Sequence, residues 1–379
     1  MLTESLNHGK DAEPKYIQVA NIIRQNILDG TWRDGDAIPP EKILCARFNI
    51  ARGTMRQALQ LLESEGYLLR EQGRGTFIRQ LNRRSESQNQ HLAFVVPYIR
   101  DSSVSTILVG FQQVAEEAGF SVVFNHVNND LQQQQDVLQK LVQQGVQGIA
   151  LYPVDSESPA GVERLVQTSY PIVLVDRYLK TLSTDYVMSD HFGGALRGVH
   201  YLLNQGHTRV GFITWLSPAV SMDHRLLGYY QALRERGIPI EENLICRVEG
   251  YPTVNRSPLI SYLTSENRPT AVFAANDQIA IALYRAANSL GLRIPQDLSV
   301  VGFDNLEMSP HLDPPLTTVA QQFSALGRQA AQVLLSRIRG DILPLQQISI
   351  SPELVIRESC LPLRDEVMTA SATEWSATT

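Results

Sequence analysis

The sequence predicts an α/β chain in two parts, a small helical unit with a β-hairpin and a larger unit of doubly wound parallel sheets. Three observations lead to this prediction. Residues 16–62 carry apolar stripes at helical spacing, residues 67–78 hold two β-prone runs around glycines, and from residue 92 short β-branched runs alternate with helix-compatible stretches. A chain of 379 residues exceeds one small domain, so both parts can have cores of their own.

Three helices are predicted in the first part. The first spans residues 16–28, where apolar side chains recur on one face: Tyr16, Val19, Ala20, Ile23 and Ile27. A second helix is predicted from Pro40, which a first helical turn tolerates, with three side chains facing inward: Ile43, Leu44 and Phe48. The third helix is predicted from Ala51 to Glu65, and Gly66 is expected to stop it.

The third predicted helix has two different faces. Its apolar side is formed by Met55, Ala58, Leu59 and Leu62, and its polar side by Arg52, Gly53, Arg56, Gln57 and Gln60. Two helices joined by a short turn, the second with arginine and glutamine outward, match a helix-turn-helix whose second helix enters the DNA major groove. A guanidinium suits that position because it offers paired donors to guanine and phosphate. From this helix alone, a merely solvated charged face remains an alternative.

A glycine-tipped hairpin is predicted next, in "YLLREQGRGTFIRQ" at residues 67–80. Gly73 and Gly75 let backbone N–H groups approach a phosphate closely, and Arg74 between them can reach into a minor groove. Glycine pairs are common in turns, but the order of helix, helix-turn-helix and hairpin is much more specific. This order predicts a small α/β winged helix-turn-helix DNA-binding domain over residues 1–80.

The charge distribution agrees with this prediction. Residues 1–84 hold 13 Lys and Arg against 10 Asp and Glu, whereas the remainder holds 20 against 29. The positive charge is concentrated beside the third helix. A charged helix face is commonly just solvated, so this observation supports DNA binding only together with the motif.

Four segments of the first part are the basis of a family resemblance: "IPPEKIL", "ARGTMRQAL", "LESEGYL" and "GRGTFI". Over residues 14–80 the chain resembles the GntR family of winged-helix transcription regulators. The resemblance implies DNA contacts from Lys42, Arg52, Arg56 and the hairpin glycines. With the exposed helix face and the hairpin tip added, the predicted DNA-binding set is Lys42, Arg52, Gly53, Thr54, Arg56, Gln57, Gly73, Arg74 and Gly75. The chain departs from the family at Lys42, usually Arg, and at Ala51, often a Ser cap whose loss costs roughly 1 kcal/mol.

The second part begins after a predicted linker at residues 81–90, which are dense in Ser, Asn, Gln and charge. Continuous apolar runs of four or five residues, each followed by a helix-compatible stretch, favour parallel strands covered on both faces. The predicted strands are 92–96, 121–124, 148–151, 171–175, 209–213, 271–274 and 298–302. Between two of them, an amphipathic helix is predicted with solvated glutamines and with four buried side chains: Leu131, Leu138, Leu141 and Val142.

Polar residues accumulate at the carboxyl ends of these strands, where doubly wound folds bind ligands. They are Asp155, Asp176-Arg177, Asn276-Asp277 and Asp304-Asn305. A single carboxylate after a strand caps the next helix about as often as it binds a ligand. Together with Arg225 and Gln321, however, the set offers acceptors and donors for hydroxyl groups, and Phe323 offers a ring for the apolar face of a sugar.

A second resemblance covers about residues 91–360. It rests on "LLNQGHTRVGFI", "RLLGYYQALRERGI", "PTAVFAANDQIA", "IPQDLSVVGFDN", "PPLTTVAQQFSALGRQA" and "ELVIRES". These segments resemble the effector domain of the LacI/GalR repressors, which is related to periplasmic sugar-binding proteins. The resemblance implies an α/β two-lobed periplasmic-binding-protein-like domain. It also implies effector contacts, which are Asp155, Arg225, Asn276, Asp304, Gln321 and, as a stacking wall, Phe323.

A GntR-type reader joined to a LacI-type sensor is the arrangement of repressors of the arabinose-repressor type. The resemblance therefore implies a transcriptional repressor of carbohydrate-utilisation genes. Its expected partners are double-stranded operator DNA, a small sugar effector and a second copy in a homodimer. The helical surface near "STILVGFQQVAEEAG" is expected to contribute to the dimer interface. The resemblance does not identify the sugar.

An enzyme is the main alternative, because winged helices of this type also occur fused to a pyridoxal-phosphate domain. That chemistry needs a Schiff-base lysine, and the second part contains only Lys140 and Lys180, neither in a matching context. The sequence shows no GxSxG, HExxH or GxxxxGK[ST] signature. We therefore expect no enzymatic activity, no cofactor and no metal.

Location and termini are predicted from composition. No stretch approaches 18 apolar residues and the first residues lack the order of a secretory signal, so we expect a cytoplasmic protein without membrane contact. The cysteines at 45, 246 and 360 have neither disulfide nor metal spacing and are expected to be packing residues. Residues 361–379 are expected to form a disordered tail.

Overall fold

The computed structural model describes residues 13–28, 31–32, 35–65, 67–71, 75–78, 90–99, 102–217, 219–249, 255–341 and 343–363. The chain divides into two compact units, residues 1–90 and residues 91–379. Several sequence predictions fall outside the described residues. They concern Gly66, Gly73, Arg74, linker residues 81–89 and tail residues 364–379.

The first unit is a three-helix core closed by a two-stranded antiparallel hairpin. Its elements are α1 (Lys15–Leu28), α2 (Glu41–Phe48), α3 (Arg52–Ser64), β1 (Leu68–Glu71) and β2 (Gly75–Ile78). The apolar stripes of the three helices meet in one core with Leu68 and Ile78 of the hairpin. Asn49 ends α2 in the left-handed conformation, with φ of 49°, and so makes the turn into α3. The predicted winged helix-turn-helix architecture is confirmed.

Two details of α2 differ from the sequence prediction. Ile43 was expected to face inward but is 56% exposed. The eight-residue helix has one narrow buried stripe, set by Leu44 and Phe48 at i and i+4, and Ile43 lies 100° away from it. Pro40 caps the helix in an extended conformation, so it precedes the first turn.

The second unit contains two six-stranded sheets, each with helices packed on it. The strands are β3 (His91–Val96), β4 (Ser121–His126), β5 (Gly148–Leu151), β6 (Ile172–Val175), β7 (Asp185–Ser189), β8 (Val210–Trp215), β9 (Ile245–Val248), β10 (Ala271–Ala274), β11 (Ser299–Asp304), β12 (Thr317–Ala320), β13 (Gln347–Ile350) and β14 (Glu353–Val355). The helices are α4 (Ser102–Glu117), α5 (Leu131–Gln143), α6 (Val162–Gln167), α7 (His191–Asn204), α8 (Val220–Glu235), α9 (Ser257–Thr264), α10 (Asp277–Ser289) and α11 (Phe323–Ile338).

Each sheet forms one lobe. In lobe 1 the strand order is β13-β7-β6-β5-β3-β4, all parallel, and helices α4, α5, α6 and α11 cover it. In lobe 2 the order is β14-β12-β11-β10-β8-β9, parallel except for β14, and helices α7 to α10 pack on it. The predicted doubly wound fold is confirmed, and every strand predicted from an apolar run is present.

Three described segments of chain cross between the lobes. The first leads from β7 into α7 at residues 189–191, the second from β12 into α11 at residues 320–323, and the third from β13 into β14 at residues 350–353. Helix α11 follows β12 of lobe 2 but packs on the lobe 1 sheet, so the second crossing returns the chain to lobe 1. These crossings place side chains of both lobes around one space.

The predicted glutamine-rich helix is α5, and its faces differ partly from the prediction. Leu138 and Leu141 are buried, but Val142 is 36% exposed. Gln134 takes the remaining buried position, and its side-chain oxygen accepts a hydrogen bond from the backbone N–H of Val154 at 3.0 Å. A glutamine can be buried here because the loop after β5 offers a donor at that point.

Candidate functional site

A cavity of about 780 Å³ lies between the two lobes, beside the crossings. Its wall brings together all six residues proposed from the sequence as ligand contacts: Asp155, Arg225, Asn276, Asp304, Gln321 and Phe323. Most of them follow the carboxyl end of a strand, as a doubly wound fold predicts. Asp155 and Phe323 belong to lobe 1, Arg225, Asn276 and Asp304 to lobe 2, and Gln321 to a crossing.

A charged cluster forms the lobe 2 side of the wall. Arg225 of α8 is buried, and its Nη2 donates to Asp304 Oδ1 at 3.3 Å. Gln321 Nε2 donates to the same oxygen at 2.7 Å. The guanidinium lies 3.8 Å from the ring centroid of Phe303 and also donates to the carbonyl of Ala275. The ion pair, the amide and the ring together fix the orientation of these groups.

The backbone at Asp304 supports a functional role for the cluster. Its φ is 112°, in the left-handed region that non-glycine residues rarely adopt. Strain of this kind persists only where the surroundings hold it, and it concentrates at ligand sites. The strained end of β11 turns the Asp304 carboxylate towards Arg225 and Gln321.

Two of the predicted contacts also cap local structure. Asn276 Oδ1 accepts from the backbone N–H of Ile279 at 3.0 Å and so caps α10, and Asp155 Oδ1 accepts from the N–H groups of Glu157 and Ser158. Capping and ligand contact are compatible, because the amide nitrogen of Asn276 and the second oxygen of Asp155 are not needed for these bonds. Asn276 and Asp155 can therefore cap local structure and contact a ligand at the same time.

Asp277, the neighbour of Asn276, has a different environment. It is fully buried and accepts hydrogen bonds from Ser309 Oγ, Thr318 Oγ1 and the N–H of Leu306. It does not line the cavity. Of the two polar residues after β10, the first faces the cavity and the second ties β10, β11 and β12 together.

The lobe 1 side of the wall contains residues that the sequence did not single out as contacts. Arg177 Nη1 donates to the carbonyls of Pro153 and Val154, and its guanidinium lies 4.8 Å from the ring centroid of Tyr152. Burial raises the pKa of Tyr152 well above its usual value, so its phenol stays neutral and able to donate. The ring of Tyr98 packs against that of Tyr152 in a tilted arrangement, with the ring centroids 6.2 Å apart. The position of Arg177 after a predicted strand was the one available signal.

Aromatic and hydroxyl groups complete the wall. Trp215 lies at the end of β8, which runs two residues beyond the apolar run that predicted it. Ser221 Oγ and Gln321 Oε1 are buried with no hydrogen-bond partner among the described residues. A buried hydroxyl and a buried amide oxygen at these positions can form hydrogen bonds with a polar ligand.

The exposed face of α3 is the second candidate site, in the first unit. Arg52, Gly53, Arg56 and Gln57 are exposed, Thr54 is half-buried, and Lys42 is exposed on α2. Arg56 Nε contacts Glu41 Oε2 at 3.1 Å. Gly75 opens β2 with φ of 128°, a conformation that requires glycine. The predicted polar face of α3 is therefore exposed, and its contact with DNA stays a prediction.

Comparison with known proteins connects both sites to one class. The model of the gntR family of bacterial regulatory proteins matches residues 15–78, and the model of periplasmic binding protein-like domains matches residues 199–360. The arabinose metabolism transcriptional repressor of Geobacillus stearothermophilus is 29% identical over 359 residues, covering 91% of this chain and 97% of that protein. The ribose operon repressor of Haemophilus influenzae is 30% identical over 279 residues, covering 73% of this chain and 83% of that protein.

The chain belongs to the same family of transcriptional repressors as these two proteins. A solved LacI family transcriptional regulator from Enterococcus faecium, with bound ribose, matches the fold with a TM-score of 0.63 at 25% identity, covering 72% of this chain and 100% of its own. The predicted joining of a GntR-type DNA-binding unit to a periplasmic-binding-protein-like unit is confirmed, since a single relative spans both.

The repressor family does not support the alternative of a pyridoxal-phosphate enzyme. The relatives named above are transcriptional regulators. Among the described residues, no three His, Cys, Asp or Glu side chains are grouped as a metal ion would require. Within the same part of the chain, no helix has both the length and the apolar character needed to cross a membrane.

Proposed function

We propose that this repressor binds a small sugar in the cavity between the lobes, and that the sugar changes its affinity for operator DNA. The observation behind the proposal is the cluster of Arg225, Asp304 and Gln321. It presents fixed donors and acceptors to one face of the cavity, as adjacent sugar hydroxyls require. Asp155 and Asn276 add further polar groups, and the rings of Phe323, Trp215 and Tyr152 offer apolar surfaces.

The relatives support a sugar as the ligand. One of them is solved with ribose bound, and two others are named for arabinose metabolism and the ribose operon. The unsatisfied atoms Ser221 Oγ and Gln321 Oε1 match this chemistry, because a sugar hydroxyl can both donate to and accept from such groups.

Operator DNA is proposed to bind along α3 and the hairpin. Arg52 and Arg56 lie one turn apart on the exposed face, which is the spacing that a helix in the major groove needs to reach neighbouring bases. Lys42, Gly53, Thr54, Gln57 and the hairpin residues Gly73, Arg74 and Gly75 are proposed to complete the contact. Since DNA is the partner, the repressor is proposed to act in the cytoplasm.

Lobe closure is proposed to couple the two sites. A sugar that touches Asp155 and Phe323 in lobe 1 and Arg225, Asn276 and Asp304 in lobe 2 binds fully only when the lobes are closed. Its differential affinity for the closed form then supplies the free energy for the motion. Couplings of about 1–3 kcal/mol are typical and change operator occupancy several-fold or more.

A homodimer is proposed as the DNA-binding form. One winged helix makes few phosphate contacts, whereas two linked units gain from effective concentration and read a two-fold symmetric site. We place part of the interface on α4, where Val109 is 65% exposed, whereas Val104, Ile107 and Phe111 on another face of the helix are buried. A second copy of this chain would cover it.

Calorimetry on the full chain tests the proposal. D-ribose, L-arabinose, D-glucose and maltose are titrated separately, and the operator affinity is measured with and without each sugar by mobility shift on DNA from upstream of its own gene. We expect one of these sugars to bind once per chain and to change the operator Kd by about 5–150-fold. Sugar binding that leaves the operator Kd unchanged, or the absence of binding by all four, would contradict it.

A further inference from the structure

His191 occupies a position between the lobes that the proposed function does not yet use. It is the first residue of α7, directly after the crossing from β7, and its side chain is fully buried. Its Nε2 lies 3.4 Å from the carbonyl oxygen of Asp176, in lobe 1. Its Nδ1 lies 3.4 Å from Nε and 3.2 Å from Nη2 of Arg225, in lobe 2.

The contacts of the ring determine its protonation. Arginine has donors only, so Nδ1 must accept from Arg225 and cannot carry a proton. The single proton is therefore on Nε2, which faces the carbonyl of Asp176 at 3.4 Å and its carboxylate oxygen Oδ1 at 3.8 Å. Burial, followed by the charge of Arg225, lowers the pKa of His191 well below its usual value. Neutral His191 thus accepts on one side and donates on the other.

Each neighbour of His191 belongs to the cavity or supports it. Arg225 and Asp176 both line the wall, from opposite lobes. Phe303, over which the Arg225 guanidinium lies, has its ring centroid 5.9 Å from that of His191. Nη1 of Arg225 donates to the carbonyl of Ala275, and Nη2 also donates to Asp304. The bond from Nε of Arg225 to His191 fixes the remaining edge of the guanidinium.

We propose that His191 is a positioning residue that holds Arg225 in its ligand-binding orientation and links that orientation to lobe 1 through Asp176. The proposal rests on the proposed function of the cavity. When the lobes move apart, Asp176 and Arg225 separate about a crossing that ends at His191, so the ring can keep both contacts only in the closed form. His191 therefore makes the orientation of Arg225 depend on closure. A ring that only filled space would stabilise the fold without this dependence.

Three substitutions separate the two sides of the ring. In His191→Asn the side-chain oxygen stands near the place of Nδ1, so it keeps the acceptor for Arg225 but loses the reach to Asp176. In His191→Gln the amide nitrogen stands near the place of Nε2, so it keeps the donor for Asp176. His191→Leu removes both. His200→Asn on the same helix, where the ring contacts Glu235 at 2.7 Å near the surface, is the matched control.

The experiment measures two quantities on the full chain: the Kd for whichever of D-ribose, L-arabinose, D-glucose and maltose the wild type binds, and the ratio of operator Kd with and without that sugar. We expect His191→Leu to raise the sugar Kd about tenfold or more, because a hydrogen bond to a charged group is lost. His191→Asn keeps the acceptor for Arg225, so its sugar Kd should stay within about threefold of the wild-type value. Because the contact with Asp176 is lost, the ratio of operator Kd with and without sugar should approach one. Operator affinity without sugar should match His200→Asn in all three variants.

Two results would overturn the proposal. One is a wild-type sugar Kd together with a wild-type operator ratio in both His191→Asn and His191→Gln. The other does not depend on any sugar: the ¹⁵N chemical shifts of the His191 ring at pH 7 should show protonated Nε2 and unprotonated Nδ1, and a proton on Nδ1 refutes the contact with Arg225. If the wild type binds none of the sugars, the proposed function fails while the ring assignment is still decided by these shifts.

Discussion

Lys180 Nζ contacts Asp223 Oδ2 at 2.9 Å and thereby joins lobe 1 to the first turn of α8 in lobe 2. Two neutral contacts lie beside this ion pair. Ser156 Oγ accepts from the N–H of Val220 at 3.0 Å, and Tyr178 Oη lies 3.3 Å from His224 Nε2. Because α8 also supplies Ser221 and Arg225 to the cavity wall, these contacts connect lobe 1 to the helix that lines the lobe 2 side of the cavity.

Replacing Lys180 with methionine tests the contribution of this ion pair to closure. The pair is partly exposed, and exposed pairs are worth about 0.2–1 kcal/mol, so we expect the sugar Kd to rise roughly 1.5–5-fold. Since salt screens exposed charges, the difference should shrink as ionic strength rises. Calorimetry at low and high salt measures it. Lys140→Met on the exposed face of α5 is the control, and an equal effect there would refute the assignment.

Replacing Asp304 with alanine should abolish the sugar response and leave operator binding intact. The change leaves the buried guanidinium of Arg225 without its carboxylate and removes an acceptor for sugar hydroxyls. Removing a hydrogen bond to a charged group is expected to cost about 1.5–3 kcal/mol of sugar-binding free energy, which raises the sugar Kd tenfold or more. Arg225→Ala should behave in the same way. Asp136→Ala, outside the cavity on α5, is the control in the same calorimetric and mobility-shift series.

Replacing Arg52 or Arg56 with alanine should weaken operator binding and leave sugar binding unchanged. Each lost base contact is expected to cost about 1–3 kcal/mol. Arg164→Ala, an exposed arginine on α6 in the second unit, controls for the loss of one positive charge. Mobility shifts on the operator and on scrambled DNA of equal length measure the effect. The assignment of α3 as the reading helix fails if both variants keep wild-type operator affinity.

Most of the strands that the sequence revealed share one physical property, and the exception is β4, an edge strand with partly exposed side chains. Runs such as 148–151 and 271–274 are buried on both faces, so their residues are continuously apolar and stand out. The strands that it did not reveal lie nearer the sheet edges or carry polar residues, for example Gln347–Ile350, whose side chains are partly exposed. Their pattern does not differ enough from that of a loop.

The candidate site was predictable where chemistry follows a strand and unpredictable where it depends on contacts across lobes. Asp155 and Asn276 follow recognisable strands, and the resemblance to known repressors added Arg225 and Gln321. His191 gave no local signal, because its role depends on Asp176 and Arg225, which lie 15 and 34 residues away in the chain. Such contacts come from tertiary packing, and spacing along the sequence does not encode them.

Replacing Val109 with glutamate should convert the proposed dimer to a monomer. A charge on the exposed apolar position of α4 would be desolvated in a two-fold interface without a partner, which is strongly unfavourable. Sedimentation at micromolar concentration measures the mass, and operator affinity should fall with it. Ile260→Glu, which replaces an apolar residue that is 38% exposed on α9, is the control. A monomeric wild type that still binds its operator tightly would contradict the dimer.

The buried carboxyl of Asp277 should make the stability of the second unit depend on pH. Burial raises its pKa from 3.8 to about 6, although hydrogen bonds from Ser309 and Thr318 oppose the shift. Because the folded state holds this proton more tightly than the unfolded state, stability falls as pH rises from about 4 through 6, by a total on the order of 3 kcal/mol. Asp277→Asn cannot titrate, and its amide oxygen can still accept from Leu306.

Urea unfolding of the wild type and of Asp277→Asn between pH 4.5 and pH 8 measures this dependence as a difference, in which the other titrating groups cancel. The wild type should lose stability relative to the variant as pH rises, and the difference should level off above about pH 7, where Asp277 is fully ionised. Asp297→Asn is the control. Hydrogen bonds from Arg293 lower the pKa of Asp297 to about 2, so its contribution is lost only as pH falls below its unfolded value of 3.8. A flat difference for Asp277→Asn over this range would mean that the carboxyl is already ionised at pH 4.5 in the folded protein.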